Sequence, residues 1–157
     1  LPEGTTTARL DAAFARANTA MTVEVPTAVG FCMFIARRCL ADVGRFDEEA
    51  FGRGYGEEVD FCMRAARAGW RHVLAADTFV YHEGEVSFGS GAQDIRDRAQ
   101  SVIDDRYPEF QVRVRAFLAD DPPRPFRDRA AAAHAGPSAR LFGALGRWLR
   151  GKRPPHP

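Results

Sequence analysis

The chain holds 157 residues, with 22 Lys and Arg against 21 Asp and Glu, and a net charge of +1. One domain of that size buries roughly 70% of its unfolded surface and needs neither disulfides nor a metal to fold; the balanced charge excludes a protein that relies on overall basicity to hold nucleic acid. The three cysteines, Cys32, Cys39 and Cys62, are an odd number in apolar surroundings, so they read as reduced core residues of a protein in a reducing compartment, not as a disulfide framework.

Leu10, Ala13, Phe14 and Ala17 set a helical stripe behind the loop-like Gly4-Thr5-Thr6-Thr7, which leaves both helix and loop open for the first twenty residues. Thr22 to Val25 is a short β-prone segment stopped by Pro26. The apolar run from Val29 to Ala36 suits a strand buried on both faces. Arg37 to Val43 fits a short helix with Gly44 as its stop. Phe46-Asp47 reads as a packing turn, with Phe46 buried and Asp47 fixing the loop. Gly52, Gly54 and Gly56 match no phosphate-binding fingerprint and read as a flexible edge to a pocket. From about Glu57 a helix carries Val59, Cys62, Met63 and Ala66 on one buried face and ends at Gly69.

Trp70 to Ala75 and Thr78 to Tyr81 read as short strands around a turn at Ala76-Asp77, and a polar loop runs from His82 to Gly89. Helices follow over Ala92 to Arg106 and from Pro108 to about Leu118. Asp120 to Pro125 carries a linker signal. Residues 1–120 therefore read as one folded part, and 121–157 as a Pro-rich linker with a basic amphipathic C-terminal segment. Residues 138–153 suit peripheral contact with an anionic membrane and suit docking on protein equally well. No apolar run reaches about 18 residues, so the expected location is cytoplasmic, with membrane association at most peripheral.

Glu57, Glu58 and Asp60 place three carboxylates at the start of the central helix, directly after the glycine loop. A carboxylate at such a junction can serve as a general base toward a bound substrate. The plainer reading is that the three acids complement the positive end of the helix dipole, at about 0.3–1 kcal/mol each. His82 follows an apolar segment and suits either a metal or a backbone carbonyl. Trp70 suits the core or a stacking contact with a sugar. His72 reads as structural or exposed. Ser87 and Phe88 suit a lid.

Five elements then occur in order: Gly30-Phe31-Cys32-Met33-Phe34-Ile35-Ala36-Arg37-Arg38, Val43-Gly44-Arg45-Phe46-Asp47-Glu48, Tyr55-Gly56-Glu57-Glu58-Val59-Asp60, Ala68-Gly69-Trp70-Arg71 and Val80-Tyr81-His82. Together, over roughly Val25 to Gly89, the set resembles the acceptor-side half of family-two, GT-A-type inverting glycosyltransferases. The resemblance implies an α/β fold, the C-terminal half of a GT-A-like domain, with a small mixed sheet and flanking helices. It implies a nucleotide-diphosphate sugar donor, a glycan or lipid-linked acceptor such as a growing polysaccharide, and a divalent ion (Mn2+ or Mg2+) on the donor diphosphate. It assigns the general base to Glu58, where the family carries the shorter Asp. Glu57, Asp60 and Trp70 become acceptor-orienting residues, and His82 a metal ligand. No Asp-x-Asp and no alternating βαβ pattern precede Val25, so the expectation is a donor-binding half elsewhere and no transfer by this chain alone. Two rival readings stand beside this one: a non-catalytic carbohydrate-binding or scaffold module of the same fold, and a metal-dependent hydrolase using Glu57, Glu58, Asp60 and His82.

Overall fold

The structure, a computed structural model, describes residues 1, 4–52, 55–83 and 92–135. They form two compact units. The first comprises Leu1–Val23, Ala75–Tyr81 and the described residues from Asp121 onward; the second comprises Glu24–Leu74 and the described residues of His82–Asp120.

In the first unit helix α1 (Thr7–Ala17) begins where Thr6 accepts a hydrogen bond from the Arg9 amide. This is the side-chain N-cap that a threonine supplies before a helix, and it settles the open reading of the first twenty residues. The Pro-rich stretch leads directly into a second helix, so the alanine-rich sequence behind it is regular structure packed on α1. Leu10 and Ala131 are buried together with Phe79 against them. Asn18 is fully buried and fully paired: its amide donates to the Ala76 and Phe126 carbonyls, and its Oδ1 accepts from Arg129. Such complete pairing removes the cost of burying an amide.

Strand β1 (Thr22–Glu24) pairs with β2 (Val73–Ala75). The flanking bonds from Ala76 N to Met21 O and from Val25 N to His72 O make the pair antiparallel. The expected mixed sheet is thus a single antiparallel pair among the described residues. Thr78 to Tyr81 is not a strand; the Phe79 amide donates instead to Asp11 Oδ1.

The second unit is built around the central helix. Helix α2 (Arg37–Val43) ends at Gly44, φ +86°. Helix α3 (Glu48–Phe51) is capped by Asp47, which accepts from the Ala50 amide. Helix α4 (Glu57–Arg67) is followed by α5 (Ala92–Arg106) and α6 (Phe110–Asp120); the last helix among the described residues, α7 in the first unit, spans Arg124–Ala135. Pro108 lies in a turn two residues before α6, not in its first turn. The single buried face expected for α4 is too narrow, because Asp60, Phe61, Cys62, Met63 and Ala65 are all buried. Met63 faces Phe51, Ala99, Ile103, Tyr107 and Phe110. Phe61 and Ala65 face Cys39, with Ile35, Val43 and Trp70 around them. Apolar neighbours on two sides therefore cover most of the helix.

The apolar run from Val29 to Ala36 is not a buried strand. Gly30–Cys32 forms a 3-10 turn, Phe34 is 95% exposed and Phe31 is 51% exposed. A doubly buried strand needs neighbours for its backbone N–H and C=O groups, and none pairs with this run among the described residues. Cys32 is accordingly exposed, unlike the buried Cys39 and Cys62. Phe46 also stays partly exposed, although it meets Phe61 edge-on at 5.2 Å.

Two glycines separate backbone strain from crowding. Gly52 holds φ +64° with open space where a Cβ would stand, whereas at Gly56, φ +90°, a Cβ would lie 2.9 Å from the Phe51 ring. Replacing Gly52 by Ala is expected to cost about 1–3 kcal/mol from its backbone conformation alone, φ +64° and ψ −130°. Gly56→Ala adds overpacking of about 1–3 kcal/mol to that strain. Urea unfolding of the two variants checks the ordering, and equal costs would remove the Phe51 contact from the account.

Candidate active site

The loop into α4 turns through two residues of positive φ, Tyr55 at +67° and Gly56 at +90°. Tyr55 keeps this uncommon conformation with its ring 4.7 Å from the Arg96 guanidinium, which also donates to the Tyr55 hydroxyl at 2.9 Å. The turn sets Glu57 and Glu58 in the first turn of α4 and makes Gly56 its N-cap, with no side chain closing the helix end.

Glu58 is partly buried and lies along the backbone of the Gly30 turn, where an added Cβ would meet its side-chain carbons at 3.8–3.9 Å. Burial pushes its carboxyl above the usual range. The neighbouring Glu57 charge adds to the shift, and the backbone amides of residues 58 and 56 oppose it without cancelling it. Glu57 is partly buried, and its Oε2 is buried with no hydrogen-bond partner among the described residues.

His82 belongs to the same surroundings. Its ring stacks on Phe31 with centroids 4.5 Å apart, and Phe31 follows Gly30, the glycine beside Glu58. One short turn therefore joins two candidate residues that lie far apart in the chain. Phe31, which carries the link, reads as core in the sequence; nothing in its pattern distinguishes an exposed stacking partner from a strand residue. As for a metal, no group of three His, Cys, Asp or Glu side chains converges among the described residues. His82 offers one imidazole and does not make a metal site by itself.

Asp60 is a different kind of carboxylate. It is fully buried. Its Oδ2 accepts from Arg64 Nε at 2.8 Å, and its Oδ1 accepts from Arg106 at 2.8 Å and from the Tyr107 hydroxyl at 2.7 Å. Burial alone raises its pKa, but the hydrogen bonds from Tyr107, Arg64 and Arg106 and the Arg64 charge outweigh burial and hold it below the usual range. Tyr107, buried and bound to this anion, is pushed up to about 12. Arg106 also bridges to Asp47, the cap of α3, and Arg64 donates to the Val43 and Arg45 carbonyls. Asp60 therefore positions the elements around Glu58 and has no face left for a ligand. The Asp60–Arg64 pair is visible in the sequence as an i, i+4 spacing; Arg106 and Tyr107, on a distant stretch of chain, carry no such signal.

Trp70 stands at the other end of α4. It is half-buried against Cys39, Phe61 and Ala65, and its indole N–H donates to Asp42 at 3.2 Å. The chain folds back after α4, so that the Trp70 amide donates to the Ala65 carbonyl at 2.9 Å, about 10 Å of helix rise beyond Glu58; the Trp70 ring packs on Phe61 and Ala65 and not on Glu58. Cys62, beside Glu58, accepts from the Ala28 amide at 3.4 Å, and burial keeps its thiol protonated. Gly54, Ser87, Phe88 and the basic segment 138–153 lie outside the described residues.

Comparison with known families now bears on this arrangement. The family model described as glycosyltransferase like family 2 matches residues 6–101. That is more than half of the chain, which therefore belongs to this family, and its reaction class is glycosyl transfer. The match begins before α1, so it takes in more of the N-terminal chain than the motif set that starts near Val25. Neither the curated proteins nor the solved structures gave a match.

The Asp60 network generates a stability test. Asp60→Asn leaves two arginines around a neutral group and is expected to cost about 3–5 kcal/mol; Tyr107→Phe, which removes one charge-assisted bond, is expected to cost about 1.5–3 kcal/mol. Because the folded pKa of Asp60 lies below its unfolded value near 3.8, its contribution is complete above that value and is lost as pH falls through the folded pKa. Urea midpoints measured from pH 7 down to pH 2 should fall less steeply in Asp60→Asn than in the parent.

Proposed function

We propose that this chain is the acceptor-side, base-bearing part of an inverting glycosyltransferase that uses a nucleotide-diphosphate sugar, with Glu58 as the general base. The observation that carries the reading is the setting of Glu58: partly buried, raised in pKa, and lying against the bare backbone of Gly30 beside the Phe31–His82 stack. A carboxylate whose pKa is raised above its ordinary value is a better proton acceptor than an ordinary one while it remains ionised.

In the transfer step the acceptor hydroxyl oxygen attacks the anomeric carbon from the face opposite the diphosphate. Its proton passes to a Glu58 carboxylate oxygen as the new C–O bond forms. The bond from the anomeric carbon to the diphosphate oxygen breaks, and the nucleoside diphosphate departs with the electron pair. Glu57, one residue away with a buried and unpaired oxygen, orients the acceptor by accepting a hydrogen bond from it. Asp60 acts through Arg64 and Arg106 as a positioning residue. Donor binding and the divalent ion, Mn2+ or Mg2+, belong in this reading to residues outside the described ones, with His82 as one imidazole ligand, and the chain by itself transfers no sugar. The location proposed is the cytoplasmic side, with peripheral membrane contact through residues 138–153. Among the described residues no helix is long and apolar enough to cross a membrane. A binding-only module of the same fold is the second reading, favoured by the longer Glu at the position of the family's Asp.

The decisive variant is Glu58→Gln, assayed with uridine and thymidine diphosphate sugars in the longest native polypeptide containing this sequence. Loss of a general base lowers kcat by about 10²–10⁴-fold, and the acid limb of the pH–rate profile, expected above the ordinary carboxylate range, disappears with it. The fold is not the cause of such a loss. A carboxyl with a raised folded pKa favours the folded state below its unfolded pKa and loses that contribution as pH rises through the folded one. Glu58→Gln should therefore be as stable as the parent at pH 7, or more so. Unchanged kcat in Glu58→Gln rules the base assignment out, and glycan binding with no turnover in the parent favours the binding module.

A further inference from the structure

At the C-terminal end of α4, away from Glu58, the second unit carries an open cleft of about 360 Å³. Trp70 forms one wall, and Arg67, Arg71 and Arg113 converge on it, with Glu24 and Glu109 at its edges. The size falls at the low end of small-ligand sites, and the reading proposed for Glu58 makes no use of it.

The three arginines are not equivalent. Arg67 is already engaged: it pairs with Glu109 at 3.3 Å, donates to the Arg106 carbonyl and lies 4.6 Å from the Tyr107 ring centroid. Arg71 and Arg113 make no direct ion pair among the described residues: the Arg113 charge acts on Glu109 only at longer range, and its guanidinium donates to the Met63 sulfur at 4.0 Å. His72, next to Arg71, has its Nε2 buried and unpaired. Burial, with the Arg113 charge behind it, lowers its pKa, so the ring is neutral at pH 7 and adds no charge. Three cations against two carboxylates leave the cleft one positive charge in excess. That excess suits one monoanion, and a phosphate dianion overfills it.

The bond from Trp70 to Asp42 fixes the indole, and the residue lines the cleft together with Arg71 and Arg113. An aromatic wall of this kind accepts the C–H face of a sugar ring, while guanidinium forks match a carboxylate two bonds at a time. We propose that this cleft binds an acidic glycan, with a sugar carboxylate held by Arg71 and Arg113 and its ring against Trp70. The choice of a glycan rests on the glycosyl-transfer reading of this chain; the carboxylate and its two partners rest on the cleft alone. The site is a binding subsite about 10 Å along α4 from the proposed base, placed to hold a distal unit of an extended chain.

Titration calorimetry on the 157-residue chain tests the proposal without any transfer step, so its failure leaves the Glu58 assay untouched. The probes are a hexuronic-acid tetramer, the matched neutral tetrasaccharide, an oligoglutamate of equal charge and inorganic phosphate. The uronate is expected to saturate, with each other probe at least tenfold weaker. Arg113→Gln and Arg71→Gln, both at exposed positions, should each weaken uronate binding about tenfold or more with unchanged thermal melting, and Glu58→Gln should leave it unchanged. Equal binding of the neutral sugar, the peptide or phosphate overturns the proposal, as does full uronate affinity in both arginine variants or no uronate binding in the parent. Should one arginine variant fail to melt cooperatively, loss or retention of uronate affinity in the other decides the matter.

Discussion

The fully buried carboxylate of Asp60 organises the second unit. Charge buried without partners costs several kcal/mol, so Asp60 is tolerable only because Arg64, Arg106 and Tyr107 reach it together. Each partner brings a different piece of chain. Arg64 fixes the backbone at Val43 and Arg45, Arg106 ties α5 to Asp47 at the start of α3, and Tyr107 closes the turn before α6. The interaction is thus a constraint on geometry more than a reservoir of stability, because a well-packed apolar replacement of such a network is often no less stable. What the network supplies is one fixed placement for the first turn of α4.

That placement explains why two acids two residues apart behave oppositely. Glu58 and Asp60 sit about 200° apart around the helix. Asp60 points into the guanidinium cluster and is held ionised. Glu58 meets the bare turn at Gly30 and is raised. The separation of two neighbouring carboxylates into one held low and one held high in pKa recurs in enzymes that place acids close together. The helix dipole reading, in which all three acids merely complement the N-terminus, treats them alike and does not account for opposite shifts.

Periodicity and stop signals place the helices well. The span Arg37–Val43 and its Gly44 terminus, the start of α4 at Glu57, and the span Ala92–Arg106 are all legible, because each depends on neighbours within one or two turns. The ordered motifs around residues 30–82 are legible as family resemblance, and the family model that matches residues 6–101 agrees. The strand expected at residues 29–36 fails for the complementary reason: a strand is completed by partners distant in sequence, and its apolar composition alone cannot provide them. The narrow apolar stripe assigned to α4 fails because burial on a second side depends on α2, which the helix's own period does not report.

Sequence alone determined the limits of α2 and α5, the start of α4, the family resemblance and the cluster of acids at the start of α4, since these follow from local spacing and side-chain chemistry. Only the tertiary structure decided which acid is an internal anchor and which one meets an open turn, and that His82 and Glu58 share the Gly30–Phe31 segment. It also decided that Arg71 and Arg113 line one cleft with Trp70 without a direct ion pair to a carboxylate among the described residues. Each of those outcomes depends on desolvation and on partners brought together from separate parts of the chain, and none is encoded in any single stretch of residues.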